Sequence, residues 1–251
     1  MVNASTLPIT ESNDNVLSNI GIIVALPEEL RTLTQQAIKQ GECLQLGSVW
    51  IVYSGAGWQN ATTAAQLLIA KGVQRLVSWG CAAGLVDTLK PGDLVLASQI
   101  VGDDKVFETD KLWRDQLQQQ LSPYVSTHSG SLFTSRTLVS SHQAKQQIHQ
   151  KNQAIALDME SAAIAEVAEN AHLPCLVIRS IADPVSQNLP QAVLKGLNAN
   201  GQVELPRLLR HLCWHPWEVV ELVKLGLHFH AAQKTLKTVT RHLRLLEQIS
   251  S

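Results

Sequence analysis

Residues 156–168, ALDMESAAIAEVA, and residues 174–184, PCLVIRSIADP, decide how this chain reads. Each brings one carboxylate to the end of a buried apolar stretch. Residues 155–157 form a short strand that runs into Asp158, Met159 and Glu160, where a helix opens. Residues 175–181 form a second strand, and Asp183 sits just past its end. In an open α/β sheet, ligands bind in the crevice beyond the carboxyl ends of the strands. Two acids delivered to that edge imply a site that grips and protonates a small polar molecule.

Working outward, strands and helices alternate. Residues 19–26, NIGIIVAL, are apolar nearly throughout, as a strand covered on both faces requires. Pro27 then opens a helix with Glu28 and Glu29 in its first turn, where they favour the helix dipole. Residues 48–55 form a strand ending in a glycine turn. Residues 60–72 form a helix with Asn60 as cap and Gly72 as stop. RLVSWG (75–80) is a strand, followed by the small-residue loop CAAG (81–84), and GDLVLASQIV (92–101) is another strand. Residues 110–120 and 141–150 read as helices. The alternation predicts an α/β fold: one mixed central sheet flanked by helices, over residues 19–190. Residues 1–18 form a polar, disordered lead. Residues 191–251 form a helical C-terminal extension packed on the same domain, with residues 205–212 helical and a long amphipathic helix from Pro216 to about Leu245.

Composition narrows the function classes. The chain has 251 residues, 45% hydrophobic and 16% charged, with net charge −1. No broad basic surface exists, so nucleic acid is not an expected partner. Four cysteines (Cys43, Cys81, Cys175, Cys213) show no pairing pattern, and a reducing cytoplasm is the simplest setting. No apolar run approaches the roughly 20 residues of a membrane span. His211, Cys213 and His215 hint at a metal, but no matching second half exists, so none is expected.

Each acid has a plainer reading. Glu160 also fits a solvent-facing helix position, yet it is flanked by Met159 and by Ser161, Ala162 and Ala163, which suit close packing. A carboxylate there can accept two vicinal hydroxyls, as from a ribose. Asp183 also fits a loop or capping residue before Pro184, but at a strand end its partly buried carboxyl would have a raised pKa, as a general acid needs. Glu29 reads either as a first-turn charge or as a base that activates a nucleophile. Ser54 to Gly57, SGAG, resembles half of a phosphate cradle and places Gly55 near a ligand. Gly80 to Gly84 permits close backbone approach, and Cys81 reads as a small packing residue rather than a nucleophile.

Taken together and in order, GIIVALPEEL, SGAGWQNATTAAQLL, VSWGCAAGL, LKPGDLVL, ALDMESAAIA and VIRSIADP resemble the nucleoside phosphorylase superfamily, above all its 5'-methylthioadenosine/S-adenosylhomocysteine nucleosidases. The resemblance implies that Glu29 activates water and that Glu160 holds the ribose hydroxyls with Met159 beneath the sugar. It implies that Asp183 protonates purine N7, and that Cys81, Ala82 and Ala83 line the site. It also implies a homo-oligomer in which a neighbouring subunit closes the site, and no metal or organic cofactor. Phosphate remains a candidate co-substrate. Residues 182–209 and the Trp-containing helix beyond resemble the hopanoid-associated phosphorylase group. The substrate expected from that is adenosylhopane, a 5'-substituted adenosine with a lipid tail.

Departures from the family pattern bear on the chemistry. Asp158 stands where the nucleosidases carry Glu, Cys81 where they carry Ser, and Ala182 where a Ser precedes the catalytic Asp. The strand holding Ser78 lacks the phosphate-binding Arg of true phosphorylases, which favours water as acceptor unless Arg31 or Arg136 substitutes. Trp214, Trp217, Leu227 and Phe229, with basic residues beyond, read either as a peripheral membrane surface at the inner membrane face or as an ordinary packing face. Other readings stay open: a plain methylthioadenosine/adenosylhomocysteine nucleosidase, or a non-catalytic nucleoside or lipid binder.

Overall fold

The computed structural model describes residues 19–196, 215 and 217–249, the last seven by backbone alone. The expected helix at 205–212, the lead at 1–18, and His211, Cys213 and Trp214 lie outside the described residues. The elements follow in order: β1 (Ile20–Val24), α1 (Pro27–Leu33), β2 (Cys43–Leu46), β3 (Val49–Tyr53), α2 (Trp58–Ala70), β4 (Arg75–Gly84), β5 (Leu94–Val101) and β6 (Val106–Glu108). Then come α3 (Lys111–Leu121), β7 (Thr127–Thr134), α4 (His142–Asn152), β8 (Ala156–Asp158), α5 (Ser161–Asn170), β9 (Cys175–Asp183), α6 (Gln191–Gly196) and α7 (Glu218–Ile249).

The mixed sheet flanked by helices is borne out, with one feature not read from the sequence. The sheet order is β2-β3-β1-β4-β8-β7-β5-β6, and β9 pairs with both β4 and β5. The strands β4, β8, β7, β5 and β9 therefore close into a ring. β1, β3 and β4 run parallel, whereas β8 runs antiparallel to β4.

Local chemistry explains the helix starts. Asp110 caps α3 by accepting the Trp113 N–H at 2.8 Å, and the Ser141 hydroxyl accepts the Ala144 N–H at 3.2 Å on α4. Asn60 is not a cap: α2 starts at Trp58 after Gly57, and the Asn60 amide bonds back to Ala56 O. CAAG is not a loop but the end of β4, because β8 and β9 pair with it on either side. One face of the sheet packs on α2 and α5 through Ala61, Ala64, Ala65, Ala162, Ala163 and Ala165. The other face buries Leu33 of α1, Leu117 of α3, and Leu236 and Val239 of α7 against Leu176 and Ile178 of β9. The first half of α7, up to His230, has no buried side chain. Among the described residues no helix is long and apolar enough to cross a membrane.

Candidate active site

The end of β4 organises the site. Ala83 lies opposite Leu157 of β8 and opposite Asp183 of β9, with a bulge in the β9 pairing that admits Ala182. The two strands that carry the acids thus flank one segment, Cys81 to Ala83. Asp183 is the last residue of β9 rather than a residue past its end. Glu160 arrives from the opposite direction: β8 runs back along β4, so Asp158, Met159 and Glu160 return toward Gly80 and Cys81. Ala82 is buried, whereas Cys81, Ala83 and Met159 are half-buried.

Glu29 is 3% exposed although it sits in the first turn of α1. Its Oε2 accepts the N–H groups of Ala25 and Leu26, and its Oε1 accepts the Cys81 N–H at 2.8 Å. Burial pushes its pKa up, and Arg179 opposes the shift. Glu160 stands at the N-terminal boundary of α5, but its carboxylate turns away from the helix and accepts the Gly57 N–H at 3.0 Å. Its pKa is raised to about 7, first by burial and then by Asp158. The amide of the SGAG loop is thus taken by the protein's own carboxylate, not left for a phosphate. Gly55 faces elsewhere: a Cβ there would lie 2.2 Å from Gln40 Nε2.

Arg179 binds this cluster together. It is 1% exposed in the middle of β9. Its guanidinium pairs with Asp158 at 2.6 Å, donates to Ser78 Oγ at 2.8 Å and lies 3.9 Å from Glu160. A Cβ on Gly80 would fall 2.3 Å from Arg179 Nη1 and 2.4 Å from Glu29 Oε1. The bare glycine is what lets both side chains close on the same point of β4. Asp158 is saturated by Arg179, Thr134 and Ser161, so the Asp in place of Glu serves the interior rather than the pocket. Arg31 and Arg136 do not enter: Arg31 pairs with Glu28 at the surface, and Arg136 pairs with Asp103 and stacks on Trp58.

Asp183 stands apart from this cluster, two residues further along β4, or about 7 Å at the usual strand rise. Its Oδ1 lies 2.7 Å from Lys145 Nζ. Lys145 is 0% exposed and also donates to the carbonyls of Pro184 and Gln187. Burial raises the Asp183 pKa, and Lys145 and then His228 of α7 pull it back. Lys145 carries its own cost, its pKa being lowered by desolvation. The pair leaves an acid that holds its proton more tightly than a free Asp does.

Sequence reasoning missed two of these groups. Arg179 had a signal, a charge inside an otherwise apolar strand. Lys145 had none, since α4 is mostly polar and carries a second lysine, Lys151. Among the described residues no group of three metal-ligating side chains occurs.

Comparison with known proteins bears on the family and the fold. A family model described as Phosphorylase superfamily matches residues 19–202. An aminodeoxyfutalosine nucleosidase of Helicobacter pylori is 25% identical over 198 residues, which covers 66% of this chain and 86% of that protein. A 5'-methylthioadenosine/S-adenosylhomocysteine nucleosidase of Shewanella denitrificans is 28% identical over 203 residues, covering 68% and 88%. The crystal structure of the Helicobacter pylori 5'-methylthioadenosine/S-adenosylhomocysteine nucleosidase shares the fold, with TM-score 0.66 at 21% identity over 92% of this chain and 98% of that one.

Proposed function

We propose that this protein, which belongs to the Phosphorylase superfamily, cleaves the N-glycosidic bond of a 5'-substituted adenosine and releases adenine. The observation that carries the reading is the division of the site along Cys81 to Ala83. Glu29, Arg179 and Glu160 gather at one end, and Asp183, its pKa raised by burial, stands at the other. Breaking an N-glycosidic bond builds positive charge on the sugar and negative charge on the purine, so it needs a nucleophile and an acid on opposite sides of one bond. Asp183 gives its proton to N7. Glu160 accepts the ribose hydroxyls above Met159. Glu29, fixed by three backbone N–H groups, takes the proton of the attacking water.

Water suits this site better than phosphate. The Arg179 guanidinium at this end is already taken by Asp158 and Ser78, so it has little left to offer a phosphate dianion. Phosphorolysis is the alternative. The relatives' names support cleavage of a 5'-thio-substituted adenosine as a second reading. A retired nucleoside binder is disfavoured, because binding alone needs no buried acid held against a buried lysine.

The narrower substrate we propose is adenosylhopane, with contact to the membrane where such a lipid resides. Its support is the resemblance of residues 182–209 together with α7. Trp217, Val220, Val223 and Leu227 are all exposed at helical spacing, and exposed Lys234, Lys237 and Arg241 continue the same side. An apolar then basic stripe suits an anionic interface. A cytoplasmic homo-oligomer whose neighbouring subunit closes the site belongs to the same reading, and light scattering measures it.

The test is incubation with adenosylhopane, methylthioadenosine and adenosylhomocysteine, with and without phosphate, measuring adenine and the sugar product. Adenine without phosphate supports the hydrolase. A sugar 1-phosphate that appears only with phosphate replaces it with a phosphorylase. Turnover of methylthioadenosine but not adenosylhopane removes the lipid reading. No adenine from any of them removes the function.

A further inference from the structure

The loop after Asp183 holds a polar group that the chemistry above does not use. Gln187 is 9% exposed, and among the described residues neither its Oε1 nor its Nε2 has a hydrogen-bond partner. A primary amide offers two donors and an acceptor. Leaving both ends unpaired in the interior is costly, and native buried polar groups are nearly always satisfied. The backbone beneath this side chain is held firmly. Lys145 Nζ donates to Gln187 O at 2.9 Å and to Pro184 O at 3.0 Å, and the same ammonium pairs with Asp183 at 2.7 Å. The Gln187 N–H closes a turn on Pro184 O, and Leu189 N–H donates to Ser140 O. His142 N–H donates to Asn188 Oδ1 at 2.7 Å. One buried cation therefore fixes the Gln187 backbone beside the acid, in a segment laced to the start of α4.

We infer that the Gln187 side chain reads the six-position edge of the leaving base, Oε1 accepting from the exocyclic amino group and Nε2 donating to the ring nitrogen next to it. The inference rests on the proposed function and adds the base-recognition residue to it. In a purine, the N7 that takes the Asp183 proton lies beside the C6 substituent, so a group fixed next to the acid is next to that edge. The match is donor to acceptor and acceptor to donor, as when Gln and Asn amides read the N6 and N7 of adenine, but turned to the opposite side of the amino group because N7 belongs to Asp183. Binding satisfies the amide and removes its burial cost, so a base without the amino group leaves it unpaired and is rejected.

A cycle between enzyme and substrate tests this. The kcat/KM values of wild type and Gln187→Leu are compared on 5'-methylthioadenosine and on its analogue with hydrogen at C6. Wild type is expected to prefer the amino substrate by about 10²-fold. Gln187→Leu is expected to erase that preference, through KM more than kcat, with the smaller loss on the C6–H substrate, where only the bond to the ring nitrogen has gone. A loss that is equal on both substrates is what a merely structural residue would give, and it would overturn the inference. If the Leu variant does not fold, the isosteric Gln187→Glu, which loses the donor to the ring nitrogen, is measured in the same way. A wild type that cleaves neither substrate overturns the proposed function itself. A wild type that cleaves both equally overturns only the role of Gln187.

Discussion

Replacing Glu160 by Gln should make the protein more stable at neutral pH while disabling it. The Glu160 carboxyl holds its proton up to about pH 7, against about 4.3 in an unfolded chain. Between those values the native state keeps a proton that the unfolded state has released, so stability falls as pH rises through the window. Each unit is worth about 1.36 kcal/mol, which bounds the loss at roughly 3–4 kcal/mol by pH 7. Asp158 and Arg179 share in the shift, so about 2 kcal/mol is assigned to Glu160 alone. Gln keeps an oxygen to accept the Gly57 N–H, and Arg179 keeps its closer partner Asp158. Glu160→Gln should then match wild type at pH 5 and melt about 4–8 °C higher at pH 8. Thermal melts of both proteins from pH 5 to 9 read this directly. A variant that melts below wild type at pH 8, or a difference that does not change with pH, would refute the reasoning. The same variant should lose about 10- to 100-fold in kcat/KM, since a charged acceptor for the ribose hydroxyls has gone.

Other perturbations have equally definite signs. Asp183→Asn should lower adenine release by about 10²–10⁴, yet cleave a 4-nitrophenyl riboside, whose leaving group needs no proton, within about tenfold of wild type. Lys145→Met removes the cation that holds the Asp183 pKa down. The alkaline limb of the kcat/KM profile should therefore move to higher pH, whatever the fall in absolute rate, and an unmoved limb would detach Lys145 from the acid. Gly80→Ala places a methyl about 1 Å inside ordinary contact distance of both Arg179 and Glu29. A misplacement of that size is worth about 10² in rate, and activity within twofold of wild type would show that the close packing of both side chains on Gly80 is not needed.

The sequence was most legible where structure is locally dictated. Pro27, Asp110 and Ser141 mark helix starts through backbone geometry and capping, and the apolar runs of β1, β4, β5 and β9 announce buried strands. It was least legible where partners come from far along the chain. CAAG resembled a loop because small residues carry no period, and only β8 and β9 make it a strand. β7, with its half-polar THSGSLFT, gave no clear signal either. Glu29, Glu160 and Asp183 stood out as carboxylates at element ends. Lys145 did not, since its carbonyl partners lie 39 and 42 residues away and nothing distinguishes it from Lys151 on the same helix. Asp158 looked like a lost contact to substrate, and its saturation by Arg179 became visible only with the side chains in place.

The ring of β4, β8, β7, β5 and β9 also governs how the molecule comes into being. β9 is the last strand among the described residues, yet it is the one that joins β4 to β5. Pairings this distant in sequence form slowly, because the intervening chain must be ordered before they reward it. Asp183 rides on that closing strand, and Arg179, which holds Asp158, lies within it. A chain whose ring is still open has neither its acid in place nor a counter-ion for its buried carboxylates. The activity should therefore appear in a single step with the final closure during refolding, with no partly competent species before it.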